Sequence, residues 1–261
     1  MPSARAKRDE LLLPEIKRVY AENKSVYGAK KIYKQLLREG IKVARCSVER
    51  LMKGAGIVGT RRDSYKVTTT QDKRQDRPTD LVNRNFAPTA PNCLWVADFT
   101  YVATWSGFVY VAFIVDAYSK MIVGWNVGTK MTADFVLSAL ECALWSRSPD
   151  GKKLICHNDA GSQYLSIAYS ERLAETGISA SVGSVGDAYD NALAETVNGL
   201  FKTEVIRKSG PWKSFEDVEY ATLDWIDWFN NKRLLGSIGD IPPIEYEEMY
   251  YSEQEVIARA A

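Results

Sequence analysis

The runs LWVADFTYV (94–102), FVYVAFIVD (108–116) and MIVGWNV (121–127) decide the fold. All three are rich in β-branched and aromatic residues, and only WSG and a second short turn separate them. That pattern predicts a three-stranded antiparallel meander. Helices and strands then alternate. Phe135, Val136, Leu140 and Leu144 form one apolar helical face between 133 and about 145, ahead of a short strand, KLICHND (153–159). A helix is expected near 166–175, a strand around 178–182, and helices over about 191–207 and 215–232. The order β-β-β-α-β-α-β-α is that of a mixed α/β layer fold, without internal repeats.

Working back toward the N-terminus, the periodicity becomes helical. Leu12, Ile16, Val19 and Tyr20 fit one helix face, and Ile32, Leu36 and Leu37 a second. The segment 47–53 reads as a third helix, opened by a Ser47 cap. With 261 residues, 46% of them apolar, the chain suits one medium domain with a smaller appendage, or two small domains. The net charge of +1 conceals an asymmetry. Residues 1–80 carry 20 Lys and Arg against 10 acids, and the remainder carries 14 against 23. A basic three-helix module of this kind points to a polyanion, because Lys and Arg gain affinity by displacing counterions from phosphates. Arg45, Arg50 and Lys53 are the candidate contacts in a helix-turn-helix-like arrangement. A bundle that simply packs on the next domain is the alternative reading.

GAGIVG (54–59) has dinucleotide-binding spacing, but helix precedes it and no helix follows, so its glycines are read as ending the third helix. The expected divisions are 1–60 for the basic module and 61–92 for a basic linker that includes Arg61 and Arg62. The catalytic core with C-terminal helices is assigned to 93–250, and a tail to 251–261.

His157 is the only histidine, which rules out a zinc site built on two imidazoles. Cys46, Cys93, Cys142 and Cys156 lack paired spacing and read as reduced, mostly packed thiols. The start has no signal-peptide stretch, and the most apolar region, 99–115, is too interrupted to span a membrane. A cytoplasmic protein is expected.

Three acids stand out. On the first strand, Asp98 shares a face with Leu94, Val96, Thr100 and Val102, so a carboxylate falls among residues that should be partly buried. Asp159 ends the short strand in HNDAGSQY, and Glu195 lies on the helix DNALAETVNGLFKTE. Lys202, seven residues on, shares nearly the same helix face, whereas Glu204 points away. Such a triad can bind two Mg²⁺, with Mn²⁺ able to substitute, one ion activating an attacking oxygen and the other stabilising a leaving oxygen. Taken singly, each acid reads more readily as a capping or salt-bridged carboxylate than as a metal ligand. Asp116 is read as ending a strand and Asp190 as a helix cap, while Trp225, Trp228 and Phe229 recur at core spacing.

WVADFTYV, HNDAGSQY and DNALAETVNGLFKTE together resemble the three blocks of the Asp-Asp-Glu transposases encoded by the downstream frame of the "IS-three" bacterial insertion sequences. These share their core with retroviral integrases. Thirty-five residues lie between Asp159 and Glu195, and 60 between Asp98 and Asp159. The likeness also covers YGAKKIYKQLLREGIKV, CSVERLMKGAGIVG and WFNNKRLLGSIGDIPPIEYE, nearly the whole chain.

The resemblance implies an α/β, RNase H-like (retroviral integrase-type) mixed five-stranded sheet flanked by helices, preceded by a small all-α helix-turn-helix-like module. It implies Asp98, Asp159 and Glu195 as catalytic metal ligands, Lys202 as a DNA contact, and His157, Asn158, Gln163 and Asn191 as supporting residues. The implied activity is cleavage of insertion-sequence ends and transfer of a 3′ hydroxyl to target DNA. Implied partners are double-stranded DNA (terminal repeats and target), further copies as a homo-oligomer on DNA, and an upstream-frame protein as fusion or partner. A nucleoid-associated location when bound to DNA follows. Many relatives have Ser and Arg where this chain has Asn158 and Ala160, and a His near the position of Leu235, after Arg233. A structure-selective nuclease on the same fold and a non-catalytic DNA-binding remnant stay open as alternatives.

Overall fold

The computed structural model describes residues 3–61, 80–82, 85–149, 153–158, 163–164, 166–182 and 192–260. Three strands, β1 (Leu94–Thr104), β2 (Gly107–Asp116) and β3 (Ile122–Gly128), form the expected meander. Asp116 ends β2, its buried carboxylate accepting the backbone N–H groups of Asn92, Tyr118 and Ser119 and so shaping the turn into β3. From β3 the chain crosses the sheet through α4 (Ala133–Arg147). It re-enters as β4 (Ile155–Asn158) and, after α5 (Ile167–Glu175), as β5 (Ser179–Val182). Both late strands run parallel to β1, giving the order β3-β2-β1-β4-β5. β1 is therefore central, and the burial of both its faces accounts for its nearly continuous apolar run.

Two apolar layers flank the sheet. Trp95, Ala97, Ala112 and Ile114 pack beneath α4 and α5 with Phe135, Leu140 and Tyr169. β3 and α4 approach so closely that a methyl group on Gly124 would stand 2.4 Å from the carbonyl oxygen of Ala139. The opposite face, carrying Leu94, Val96, Val102, Val111 and Phe113, is covered by α6 (Ala192–Phe201) and α8 (Phe215–Asn231). Phe113, Phe201, Trp225 and Phe229 meet ring to ring there, so the aromatics at helical spacing are core, as expected.

The N-terminal helices are α1 (Ala4–Glu22), α2 (Ala29–Arg38) and α3 (Arg45–Gly54). α3 begins two residues before the expected Ser47 cap, with Ala44 as N-cap, so Ser47 is a first-turn residue. Leu12, Ile16, Val19, Ile32 and Leu36 are buried in one cluster with Trp225, Phe229 and Leu234. The module thus packs on the core. Polar bonds fix the junction. Tyr27 Oη accepts Leu234 N–H at 2.7 Å, Trp228 Nε1 donates to Asn23 Oδ1 at 3.3 Å, and Arg38 pairs with Glu245. Gly59 passes so close to Gly28 that an added Cβ would lie 2.5 Å from its Cα.

Two expectations need correction. The helix expected over 191–207 is, in its described part, α6 followed by a π-helical turn (Lys202–Ile206) and the short α7 (Arg207–Ser209). The tail expected at 251–261 is the second half of α9 (Pro243–Ala260). Residues 251–259 are all exposed, so they lack the apolar stripe by which a helix is recognised in a sequence.

Candidate active site

Among the described residues β1 pairs with β4 from Leu94 to Ala97, and Asp98 is the next residue of β1. Its carboxylate is fixed twice. Oδ1 accepts the N–H of Phe99 at 2.8 Å, and Oδ2 accepts Nδ2 of Asn198 at 2.8 Å. Asn198 lies on α6, one turn after Glu195 and one turn before Lys202, so the three side chains form a stripe along the helix side that meets β1. Asn198 is 6% exposed, and among the described residues its Oδ1 has no hydrogen-bond partner. Burial and the neighbouring Arg207 act to lower the Lys202 pKa, against the pull of the Asp98 carboxylate; the net direction is down. The ammonium is therefore close enough to Asp98 to feel its charge.

Asn198 was missed in the sequence. Its signal was the i, i+3 spacing from Glu195, which does not by itself distinguish a site residue from an ordinary helix amide.

The other described candidates make contacts of their own. His157 is fully buried, with Nδ1 2.9 Å from Ser181 Oγ and 4.0 Å from Asp80 Oδ1, and its ring meets the edge of Phe86. This is a packed strand histidine that anchors the segment leading into β1. Asn158 points to the opposite sheet face from Asp98, where Oδ1 accepts the hydroxyl of buried Tyr169. Gln163 is half-buried, and its carbonyl accepts Ser166 N–H. Asp159, Asn191 and Arg62, together with Ala160 and Asp190, fall outside the described residues. Among the described residues no three His, Cys, Asp or Glu side chains gather as a metal site. Glu204 is buried against Arg233, Nη2 to Oε1 at 2.6 Å, and also accepts Trp225 Nε1. Leu235 is buried.

On α3, Arg45 pairs with Glu49 and Arg50 with Asp9, while Lys53 is exposed. The Arg50 bond holds the half-buried Asp9 carboxyl below its ordinary pKa. Arg50 shares an open cleft with Arg5 and Arg8 of α1, and Lys53 shares another with Arg61. This basic surface belongs to the N-terminal module and is separate from the Asp98 stripe.

Residues 88–188 and 176–243 match integrase core domain families, and residues 7–65 match the HTH-like domain family. The chain is 55% identical over 258 residues to the putative transposase for insertion sequence element IS986/IS6110 of Mycobacterium tuberculosis, covering 97% of this chain and 93% of that one. It is 55% identical to the transposase for insertion sequence element IS629 of Shigella sonnei, over 96% of this chain and 83% of the relative. A simian T-cell lymphotropic virus intasome, solved in complex with PP2A regulatory subunit B56 gamma, superposes with a TM-score of 0.52 at 12% identity. It covers 89% of this chain and 74% of that one. The integrase-type fold expected from the sequence is borne out. No helix among the described residues is long and apolar enough to cross a membrane.

Proposed function

Because the chain belongs to the transposases of bacterial insertion sequences, polynucleotidyl transferases built on an integrase core, we propose that it cuts the ends of its element and joins each 3′ hydroxyl to target DNA by a metal-dependent reaction at Asp98, Asp159 and Glu195. The observation that carries this reading is the Asp98 carboxylate, held directly after the described β1–β4 pairs and bonded to the helix that bears Glu195. Asp159 follows Asn158 directly in the chain, and Asn158 pairs with Ala97, the residue before Asp98.

The donor set fits a hard divalent cation. Carboxylate oxygens suit Mg²⁺, two ions per site with Mn²⁺ substituting, and Asn198 Oδ1, which has no partner among the described residues, lies beside Asp98 with coordination capacity to spare. A divalent cation bound by the three carboxylates would supply Lewis acidity toward the phosphate oxygens. The protein's own groups do the rest. Asn198 fixes the orientation of Asp98, and the Lys202 ammonium stands ready for a phosphate beside the scissile bond. In strand transfer the 3′ oxygen gives up its proton and forms a bond to phosphorus, while the target P–O3′ bond breaks and its oxygen takes up a proton.

The N-terminal module, through Arg45, Arg50, Lys53, Arg61 and Arg62, would contact the double-stranded ends away from the cut. Activity as a homo-oligomer on DNA in the cytoplasm, with an upstream-frame protein as fusion or partner, rests on family membership. His157 and Asn158 would support the site by packing, with Gln163 and Asn191 beside them in the matching blocks.

The test is a supercoiled plasmid carrying the element's ends, incubated with Mg²⁺ or Mn²⁺ and with wild-type, Asp159→Asn or Glu195→Gln protein. Expected are end-specific breaks and joints that vanish in both variants while end binding stays within about twofold. A variant that retains wild-type strand transfer removes its residue from the site. Breaks without joints would favour a nuclease.

A further inference from the structure

Three large aromatic side chains stand in solvent at the far end of the β1–β2 hairpin. Tyr101 is 54% exposed, Trp105 71% and Phe108 57%. Tyr101 lies opposite Tyr110 and Ala103 opposite Phe108, so Tyr101 and Phe108 share a face, and their rings meet edge to face at 5.5 Å. The tip that carries them is anchored. Thr104 Oγ1 donates to the Gly107 carbonyl at 2.8 Å, Trp105 N–H donates to the Trp212 carbonyl at 3.0 Å, and Trp212 Nε1 donates to the Ile206 carbonyl at 2.9 Å. Exposing three rings forgoes several kcal/mol of hydrophobic stabilisation, on the order of 1.5–3 for each side chain left unburied. An anchored hairpin that presents them has a use for their faces.

Cations accompany the rings. Lys202 Nζ is 5.2 Å from the centroid of Tyr101, and Lys213 Nζ is 5.7 Å from that of Trp105. Asp217, four residues after Lys213, accepts the backbone N–H groups of Lys213 and Ser214 in a capping box at the start of α8. Aromatic faces interleaved with ammonium groups match the chemistry of single-stranded nucleic acid, in which bases offer π faces and the backbone offers phosphates. The link to the candidate active site is Lys202, which lies over the Tyr101 ring and continues the Asn198 stripe along α6. Tyr101 itself follows Asp98 by three residues, roughly 10 Å, with the strand period directing it to the opposite sheet face, and Trp105 follows by seven, roughly 23 Å.

We propose that Tyr101, Trp105 and Phe108 form a stacking platform for unpaired DNA bases that lead away from the active site past Lys202, with Lys202 and Lys213 holding the flanking phosphates. The proposal rests on the transposase reading above. Paired bases hide their faces inside the duplex, so the platform selects ends that are frayed or already cut.

The test uses the full chain and two element-end duplexes, one blunt and one with a short single-stranded tail containing 2-aminopurine. The wild type should bind the tailed duplex about tenfold more tightly than the blunt one and quench the 2-aminopurine by stacking. Trp105→Ala with Phe108→Ala should lose about tenfold on the tailed duplex, relieve the quenching and leave blunt-duplex binding within about twofold. The aromatic replacements Trp105→Phe with Phe108→Tyr should restore both signals, which separates stacking from a folding defect. Unchanged tail affinity and quenching in the alanine variant would overturn the platform. Equal wild-type binding to both duplexes would also overturn it while leaving the transposase reading intact, and binding to neither would sink both.

Discussion

In Arg233→Met the buried carboxylate of Glu204 loses both of its guanidinium bonds, Nε at 3.1 Å and Nη2 at 2.6 Å, and keeps Trp225 Nε1 at 3.1 Å. Both members of the pair are buried, so water replaces the lost bonds poorly. Removing one partner of a buried ion pair costs about 3–5 kcal/mol. At roughly 2–4 °C per kcal/mol for a chain of this size, Tm should fall by roughly 6–20 °C. Glu204→Met should cost less, because the stranded guanidinium still lies over Trp228 at 5.8 Å and Phe229 at 5.4 Å, contacts worth about 1 kcal/mol or more when desolvated. The double variant, Met facing Met, should return to within about 1 kcal/mol of wild type, since an apolar pair of similar volume needs no compensation. Urea denaturation followed by tryptophan fluorescence, with Trp225 inside the network, measures all four corners of the cycle. A coupling energy below about 1 kcal/mol would refute the reasoning, because it would mean that the pair is as well solvated as a surface one.

Three further outcomes follow from the same geometry. Asn198→Ala should lower the cleavage rate by about ten- to hundredfold, as expected on losing a group that orients a metal ligand, and should raise the Mg²⁺ concentration needed for half-maximal rate; an unchanged metal titration would reduce Asn198 to packing. Lys202→Ala should weaken end binding and reduce the slope of log K against log salt by about 1, measured by fluorescence anisotropy, and an unchanged slope would make Lys202 a bystander. Burial and the neighbouring Arg233 push the Lys31 pKa down to about 7 from 10.5. Below about pH 7 this lysine is charged in both the folded and unfolded chain, and the cost of burying it is fully present. Between pH 7 and 10.5 only the unfolded chain holds the proton, so stability rises with pH. Lys31→Met should therefore be more stable than wild type by a few kcal/mol below pH 7, at ~1.4 kcal/mol per pKa unit, with the advantage fading toward pH 10.5. A pH-independent difference in Tm would show that Lys31 stays charged in the fold.

Local sequence determined a great deal. The β-branched runs at 94–127 specify their own meander, because antiparallel neighbours joined by short turns need only alternation and a turn signal. The periodicity of Leu12, Ile16 and Val19, and of Trp225 and Phe229, marked the buried sides of their helices before any partner was known. Asp98 falls on the expected sheet face, and Lys202 on the Glu195 side of its helix, because periods of 2 and 3.6 fix direction from spacing alone.

Tertiary structure decided the rest. That β4 pairs with β1 alongside Leu94 to Ala97, the residues leading to Asp98, depends on contacts made some 60 positions apart in the chain, and no local pattern encodes them. The same is true of the Asn198–Asp98 bond across 100 residues and of Tyr27 against Leu234 across 207. His157 and Asn158 sat in a motif that suggested shared duty, yet the strand period sends them to opposite faces, and each is committed to its own buried bond. Glu204 acquired its role only when a π turn and the end of α8 brought Arg233 to it. A sequence sets which side chains can face inward, because that follows from backbone geometry a few residues at a time. Which of them meet is settled by the packing of whole layers, where the partner of each residue is chosen by every other element in the fold.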